Sequence, residues 1–278
     1  MHVTELWNYP VKSMIGSRVP EADFTELGML GDRTWALRDV AGGYLANTRQ
    51  TPGIMQFAAT PLPTGHVAIS LPDGRSLTSA DADANEVLSE ALGREVRLER
   101  LPAATDLDAF RRKPDPTVTD PMAHLREIFA READEPLPDF TKFGPSVMEY
   151  ESPPGTFYDC FPLMIMSTSA LRSMAAALPD SVVDVRRFRP TFVVDTGDAP
   201  GHPEFDWTGQ RFAIGSAVVE VINDCPRCAS LTKQINAHIP QDRAILRHVV
   251  KDLGQAVGMY ANVVQPGTIT QGDDLVPC

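Results

Sequence analysis

Residues 212–228 read FAIGSAVVEVINDCPRC, a β-rich run from Phe212 to Ile222 that leads into two cysteines, Cys225 and Cys228. A strand followed by C-x-x-C is the local signature of a thioredoxin-type site, which opens a helix within a βαβ setting. Here the next segment, ASLTKQINAHIP (229–240), is a poor helix former and is broken at Pro240. Strands recur on the N-terminal side of this stretch. VTELWNYPVKS (3–13), RTWALRDV (33–40), GYLANTRQ (43–50) and REVRLERL (94–101) read as strands, and HVAISLPDGRSLT (66–78) as a hairpin turning at Asp73-Gly74. SADADANEVLSEALG (79–93) carries a cap, a periodic apolar face and a terminal Gly93, the pattern of a helix.

Residues 102–155 change character, with prolines at 114, 116, 121, 136, 138, 145, 153 and 154 among many acids. The reading is a long irregular connection holding one short helix, MAHLREIFA (122–130). Connections of this length are linkers or functional segments. Beyond it, STSALRSMAAAL (167–178) reads as a helix and VVDVRRFRPTFVVD (182–195) as a strand. PQDRAILRHVVKDLGQAVG (240–258) is an amphipathic helix ending at Gly254 or Gly258, and MYANVVQPGTITQGDDLV (259–276) closes the chain as a hairpin. Strands outnumber helices without strict βαβ alternation. The expected class is mainly β with α, barrel-like rather than doubly wound.

The 278 residues carry 37 Asp and Glu against 25 Lys and Arg, a net charge of −12. Such a surface repels phosphate backbones and anionic lipid, so neither nucleic acid nor membrane is an expected partner. The first ten residues, MHVTELWNYP, lack a basic start and apolar core, and no stretch reaches the length of a spanning helix. A cytoplasmic protein is the default expectation. Four cysteines without a signal argue for reduced thiols.

Three readings of the cysteine pair compete. Structural zinc wants four ligands, and His238 and His248 lie ten residues apart, outside the usual spacing. Two small packed core thiols are the plain alternative. A reactive thiolate is the third, since the adjacent Arg227 would favour the charged form, and thiolates suit soft, redox-active metals. Against the acidic background, basic residues at strand entries stand out. Lys12 and Ser13 lie in YPVKS (9–13), Arg33 follows Gly31-Asp32, and RFRPT (187–191) holds Arg187 and Arg189, expected to project to one face of an extended chain. They are read as an anion pocket, or else as surface ion pairs with Asp32, Asp184 and Asp195.

YPVKS, GMLGDRTWALRD (28–39) and GYLANTRQTP (43–52) resemble the N-terminal β-barrel domain that precedes MOSC domains. FYDCFPLMIMSTSAL (157–171), RRFRPTFVV (186–194), IGSAVVEVINDCPRC (214–228) and GMYANVVQPGTITQGDDL (258–275) resemble the MOSC domain itself. The resemblance implies an N-terminal barrel over 1–115, a Pro-rich connection over 116–145 and a barrel-like MOSC domain with flanking helices over 146–278. It also implies kinship with amidoxime-reducing components, which bind a molybdenum–pterin cofactor and reduce N-hydroxylated compounds with electrons from a separate donor protein. On that likeness Cys228 is the metal's protein ligand. Lys12, Ser13 and Arg33 hold the cofactor's phosphate and pterin end, and Arg189, Thr191, Ser167, Thr168 and Arg227 are further cofactor contacts. The sequence departs from the family at Thr191, a hydroxyl where an amide is usual, and at Pro226, which removes a backbone donor. Asp159 is a candidate for handling a proton or positioning substrate, or else a turn cap. The rival function is a sulfur carrier or sulfurtransferase working through a cysteine persulfide.

Overall fold

The computed structural model describes residues 1–113 and 118–278; the division expected between 115 and 116 lies outside the described residues. The site is framed by an eight-stranded sheet. Its order is Val276–Pro277, Arg211–Ile214, Ala217–Pro226, Ala256–Gln265, Leu163–Ser167, Phe192–Asp195, His2–Asn8 and Ser17–Val19. Two strands from the first twenty residues therefore share a sheet with the second half of the chain. Pairing is antiparallel except between Leu163–Ser167 and Phe192–Asp195, which run parallel across the helix Thr168–Ala177.

Burial follows the sequence pattern. In Ala217–Pro226 every second residue, from Ala217 to Cys225, faces inward. Leu163–Ser167 is buried throughout, as a strand covered on both faces must be. One core gathers Leu6, Phe24, Phe192, Phe212, Val219 and Met259. Another holds Met164, Met166, Phe188, Cys225, Ile245 and Val249 under the helix Ala244–Asp252. The N-terminal part adds its own core of Val11, Met14, Leu37, Phe57, Ile69 and Leu88, enclosed by the pair Trp35–Asp39 with Val96–Arg100 and by the meander Ala58–Pro61, Val67–Ser70, Ser76–Thr78. The hairpin does turn at Asp73-Gly74, where Gly74 has φ 90°.

Three expectations are corrected. GYLANTRQ is not a strand: Leu45 makes one bridge to Arg38, after which the Asn47 side chain accepts from the amides of Arg49 and Gln50 and bends the chain. VVDVRRFRPTFVVD is a strand only over Phe192–Asp195. Asp184 caps a helical turn, Val185–Phe188, and Arg189 then adopts φ 60°, so Arg187 and Arg189 do not share a face. Finally, the closing segment is not a hairpin. Pro266 interrupts the ladder, and Gly267–Thr270 pairs instead with Glu21–Thr25. Gly267 passes so close to Ser216 that a Cβ there would lie 2.5 Å from its carbonyl carbon.

Among the described residues of 102–155 are three short α-helices, Leu107–Phe110, Pro121–Phe129 and Ser146–Glu149, where one was expected. The stretch docks on the cysteine-bearing strand. Lys142 Nζ lies 2.6 Å from Asp224, and Asn223 Nδ2 donates to the Lys142 carbonyl at 3.1 Å. Among the described residues no helix is long and apolar enough to cross a membrane.

Candidate functional site

Tyr9, 1% exposed, lies where the N-terminal strand meets the Arg189 turn, and its hydroxyl donates to the Pro190 carbonyl at 3.0 Å. Two guanidinium groups cover its ring: Arg189 at 4.4 Å from the centroid and Arg33 at 5.2 Å, the latter also 4.9 Å from the Tyr158 ring. The ring quadrupole attracts both cations. Asp32 pairs with Arg33 and accepts the Tyr9 amide at 2.5 Å, while Arg189 donates to the Met14 carbonyl. Lys12 Nζ donates to the Phe157 carbonyl at 2.8 Å and to Asp159 Oδ1 at 2.6 Å. Three cations from both halves of the chain thus gather beside two carboxylates. Ser13 follows Lys12 in the same loop, its Oγ 3.5 Å from the Ala46 carbonyl.

The electrostatics follow from this crowding. Burial pulls the Arg189 guanidinium down to about 10, and the positive charge of Arg33 adds to the effect. Burial would lower Arg33 as well, but the negative charge of Asp32, with smaller help from Tyr158 and Asp159, leaves it raised. Lys12 holds the Asp159 carboxyl below the usual range, reinforced by Arg33 and Arg189.

The thiols form a different environment. Cys225 is buried and accepts from Arg227 Nη1 at 3.0 Å. Burial pushes its thiol up, against the pull of Arg227. Cys160 Sγ lies 3.6 Å from the Tyr260 hydroxyl, and burial pushes that thiol up to about 12. Cys228 differs from both. Half-buried like Cys160, it stands instead at the mouth of the turn Ala229–Thr232, with Sγ 3.1 Å from Ser230 Oγ. Arg227, expected to favour a Cys228 thiolate, makes its hydrogen bonds elsewhere, although Cys228 still acts on its charge. Its Nη1 goes to Cys225 and its Nη2 to the Phe188 carbonyl at 2.7 Å, because the side chain is folded back into the core. That Phe188 bond places the cysteine turn one residue from Arg189.

Other expected contacts are engaged elsewhere. Ser167 is fully buried, donates to Glu204 and accepts the Ala170 amide at 2.9 Å as a helix cap. Thr168 donates to Asp195 at 3.2 Å. Both stand at the C-terminal end of Leu163–Ser167, whereas Asp159 precedes its N-terminal end. Thr191 Oγ1 accepts the Met164 amide at 3.2 Å and fixes the register of the parallel pair. Arg187, with no exposure, donates to the carbonyls of Val182, Leu231, Lys233 and Pro240. These bonds tie the four residues into the fold around the site.

Sequence reasoning missed Tyr9, Tyr158, Tyr260 and Arg131. Arg131 Nη2 donates at 3.2 Å to the Arg227 carbonyl, the peptide just before Cys228, and its Nε donates to Gln255 Oε1 at 3.1 Å. The Gln255 carbonyl in turn accepts the Arg227 amide at 2.9 Å. One backbone signal marks the whole region. Among the described residues the non-glycine positions with positive φ are Ser13, Arg33, Ala130, Arg189 and Gln255. Left-handed conformations are disfavoured for such residues and concentrate at functional sites. Three of the five are candidate ligand holders, and the other two flank or contact Arg131. No group of three or more His, Cys, Asp or Glu among the described residues is placed to hold a metal, so a metal at Cys228 would need further ligands from a bound molecule.

The family model described as MOSC N-terminal beta barrel domain matches residues 1–110, and that described as MOSC domain matches 153–276. Mitochondrial amidoxime reducing component 2 of Bos taurus is 27% identical over 244 residues, covering 83% of this chain and 66% of that one. Mitochondrial amidoxime-reducing component 1 of Homo sapiens is 24% identical over 310 residues, covering 98% and 81%. Among solved structures, YuaD from Bacillus subtilis overlaps 98% of this chain and 92% of its own at 12% identity and a TM-score of 0.44. YiiM from Geobacillus stearothermophilus overlaps 42% and 54% at 18% identity and 0.32. These overlaps are too loose for comparison residue by residue.

Proposed function

Because this chain belongs to the MOSC family and carries that family's N-terminal β-barrel domain, we propose that it is a molybdenum-cofactor-dependent reductase of N-hydroxylated compounds. The observation that carries the reading is the gathering of Lys12, Arg33 and Arg189 beside Tyr9, one residue from the bond that anchors the cysteine turn. The residues fit the cofactor. A half-buried thiol with a single hydroxyl neighbour suits one protein bond to a soft metal, and a cluster of cations suits a phosphate-bearing tail.

In this reading Cys228 is the protein ligand, while Lys12, Ser13, Arg33 and Arg189 hold the phosphate and pterin end. When bound, the cofactor supplies the two electrons that, with two protons, convert an N–OH group to N–H and water. The protein's part is position and charge. Arg131 and Gln255 clamp the peptide before Cys228 and so aim the thiol. Asp159 is ionised near neutral pH under the influence of Lys12, which makes it a poor proton donor there and favours a positioning role. Electrons would come from a separate donor protein, since no nicotinamide-binding G-x-G-x-x-G occurs in the sequence. A persulfide carrier would need a reachable thiol but gives no reason for two cations to assemble on one ring with a third nearby.

The test is reduction of a benzamidoxime by cofactor-loaded protein with a reduced dye as donor. Turnover with dye but none with NAD(P)H alone supports the reading. Equal rates for wild type and Cys228→Ala would end it.

A further inference from the structure

We propose that Asp159 is a resident counter-anion that holds the place of a phosphate monoester at Lys12 and is displaced when one binds. The inference rests on the reading of this corner as an anion site. Its motivation is a mismatch in exposure across one ion pair: the Lys12 side chain is 7% exposed and that of Asp159 84%, with 2.6 Å between Nζ and Oδ1. A buried ammonium left without a counter-charge is strongly unfavourable, so an empty anion site of this design needs an anion of its own. The other neighbour of Nζ, the Phe157 carbonyl, carries no charge.

The two carboxylates of the corner differ in how firmly they are fixed. Asp32 has a side chain 1% exposed and bonds both Arg33 and the Tyr9 amide, so it is part of the fold. Asp159 faces solvent, and among the described residues Lys12 is the one side chain to which it is hydrogen-bonded. Three cations less Asp32 leave two positive charges, the complement of a phosphate monoester, which carries about −1.5 to −2 near pH 7. With Asp159 in place only one remains. A phosphate arriving beside a retained Asp159 would set two anions against one ammonium. Release of an exposed carboxylate into water avoids that repulsion at little desolvation cost. The low-lying carboxyl supports the argument, since the placeholder stays charged at neutral pH.

Full-length, metal-free protein is titrated with inorganic phosphate by calorimetry, comparing wild type, Asp159→Asn and Asp159→Ser. Both variants should bind phosphate about tenfold more tightly, within the usual range of coupling between competing ligands. Serine guards against a misfolded amide variant or one that still bonds Lys12. Equal or weaker binding by both variants, with wild type still binding, overturns the placeholder while leaving the anion site intact. Absence of phosphate binding in all three proteins overturns the anion site and the placeholder together. A second arm uses the molybdenum–pterin cofactor released from a donor enzyme, with retained molybdenum as readout. Higher retention by the variants in both arms assigns the displacing group to the cofactor's phosphate; a gain confined to inorganic phosphate assigns it to the free ion. A gain in molybdenum alone places the competition away from Lys12 and contradicts the proposal.

Discussion

Tyr9 is buried and Tyr260 half-buried, and burial raises both hydroxyls, yet they organise opposite kinds of surroundings. Around Tyr9 the protein keeps charge: two guanidinium groups on one ring, with Lys12 and two carboxylates beside them. Around Tyr260 it suppresses charge. Cys160 sits by the hydroxyl, Cys225 is sealed within the core, and both thiols are pushed up by desolvation. Cys228 lies at the edge of the second region, half-buried and turned toward Ser230. The difference teaches that cysteine count and spacing say little about reactivity. Within one region burial holds the Cys160 and Cys225 thiols neutral, while Cys228 stands at a turn beside Ser230.

The contrast can be broken by substitution. The largest effect is expected at Arg187, whose neighbour two residues on faces the Tyr9 ring while its own hydrogen bonds run to backbone carbonyls. Arg187→Met leaves four acceptors without their donor and should destabilise the protein by about 3–5 kcal/mol in urea unfolding. Arg189→Met, which frees a single carbonyl, should cost less than half as much. Similar losses for the two would show that both are equally structural.

Next in size is the neutrality of the Tyr260 region. With its thiol near 12 against an ordinary 9.0, Cys160 holds about a thousandfold less thiolate at pH 8. The greater nucleophilicity of a more basic thiolate recovers part of this, leaving alkylation by iodoacetamide roughly thirtyfold slower than for a free thiol. Mass spectrometry should therefore show Cys160 lagging behind a free-cysteine reference peptide, with a rate that keeps climbing as pH passes 9. A plateau near pH 9 would mean that burial does not set its proton affinity. The smallest effect belongs to Tyr9→Phe, which removes the bond to Pro190 while keeping the ring beneath both cations. A loss of about 1 kcal/mol is expected, with phosphate affinity changed less than twofold. A collapse of phosphate binding would transfer the anion-holding role to the hydroxyl.

What could be read from sequence alone is the part written in local chemistry. Asp73-Gly74 announces a turn, Gly93 ends the helix Ala84–Leu92 at φ 64°, and the alternation in Ala217–Pro226 declares one buried face. Lys12, Arg33 and Arg189 were legible as basic residues at strand entries and through family likeness, and the fold brings them together. The illegible part depends on distant contacts. Nothing near Arg131 in the chain signals that it will grip a carbonyl 96 residues away. The residue before a proline is pushed from the right-handed helical region, which suggested an extended Arg189; the left-handed region satisfies the same constraint and turns the side chain onto Tyr9. Ser167 and Thr168 entered through family likeness alone, and nothing local to them announces their bonds to Glu204 and Asp195.

Molybdenum content of protein produced in a cofactor-synthesising host, measured by elemental analysis after gel filtration, bears on Cys228 without relying on any substrate. Wild type should retain the metal, and Cys228→Ala should retain at least about tenfold less, whereas Cys225→Ala should keep it. Background metal in wild type, or equal molybdenum in wild type and Cys228→Ala, would contradict the assignment of Cys228 as the ligand.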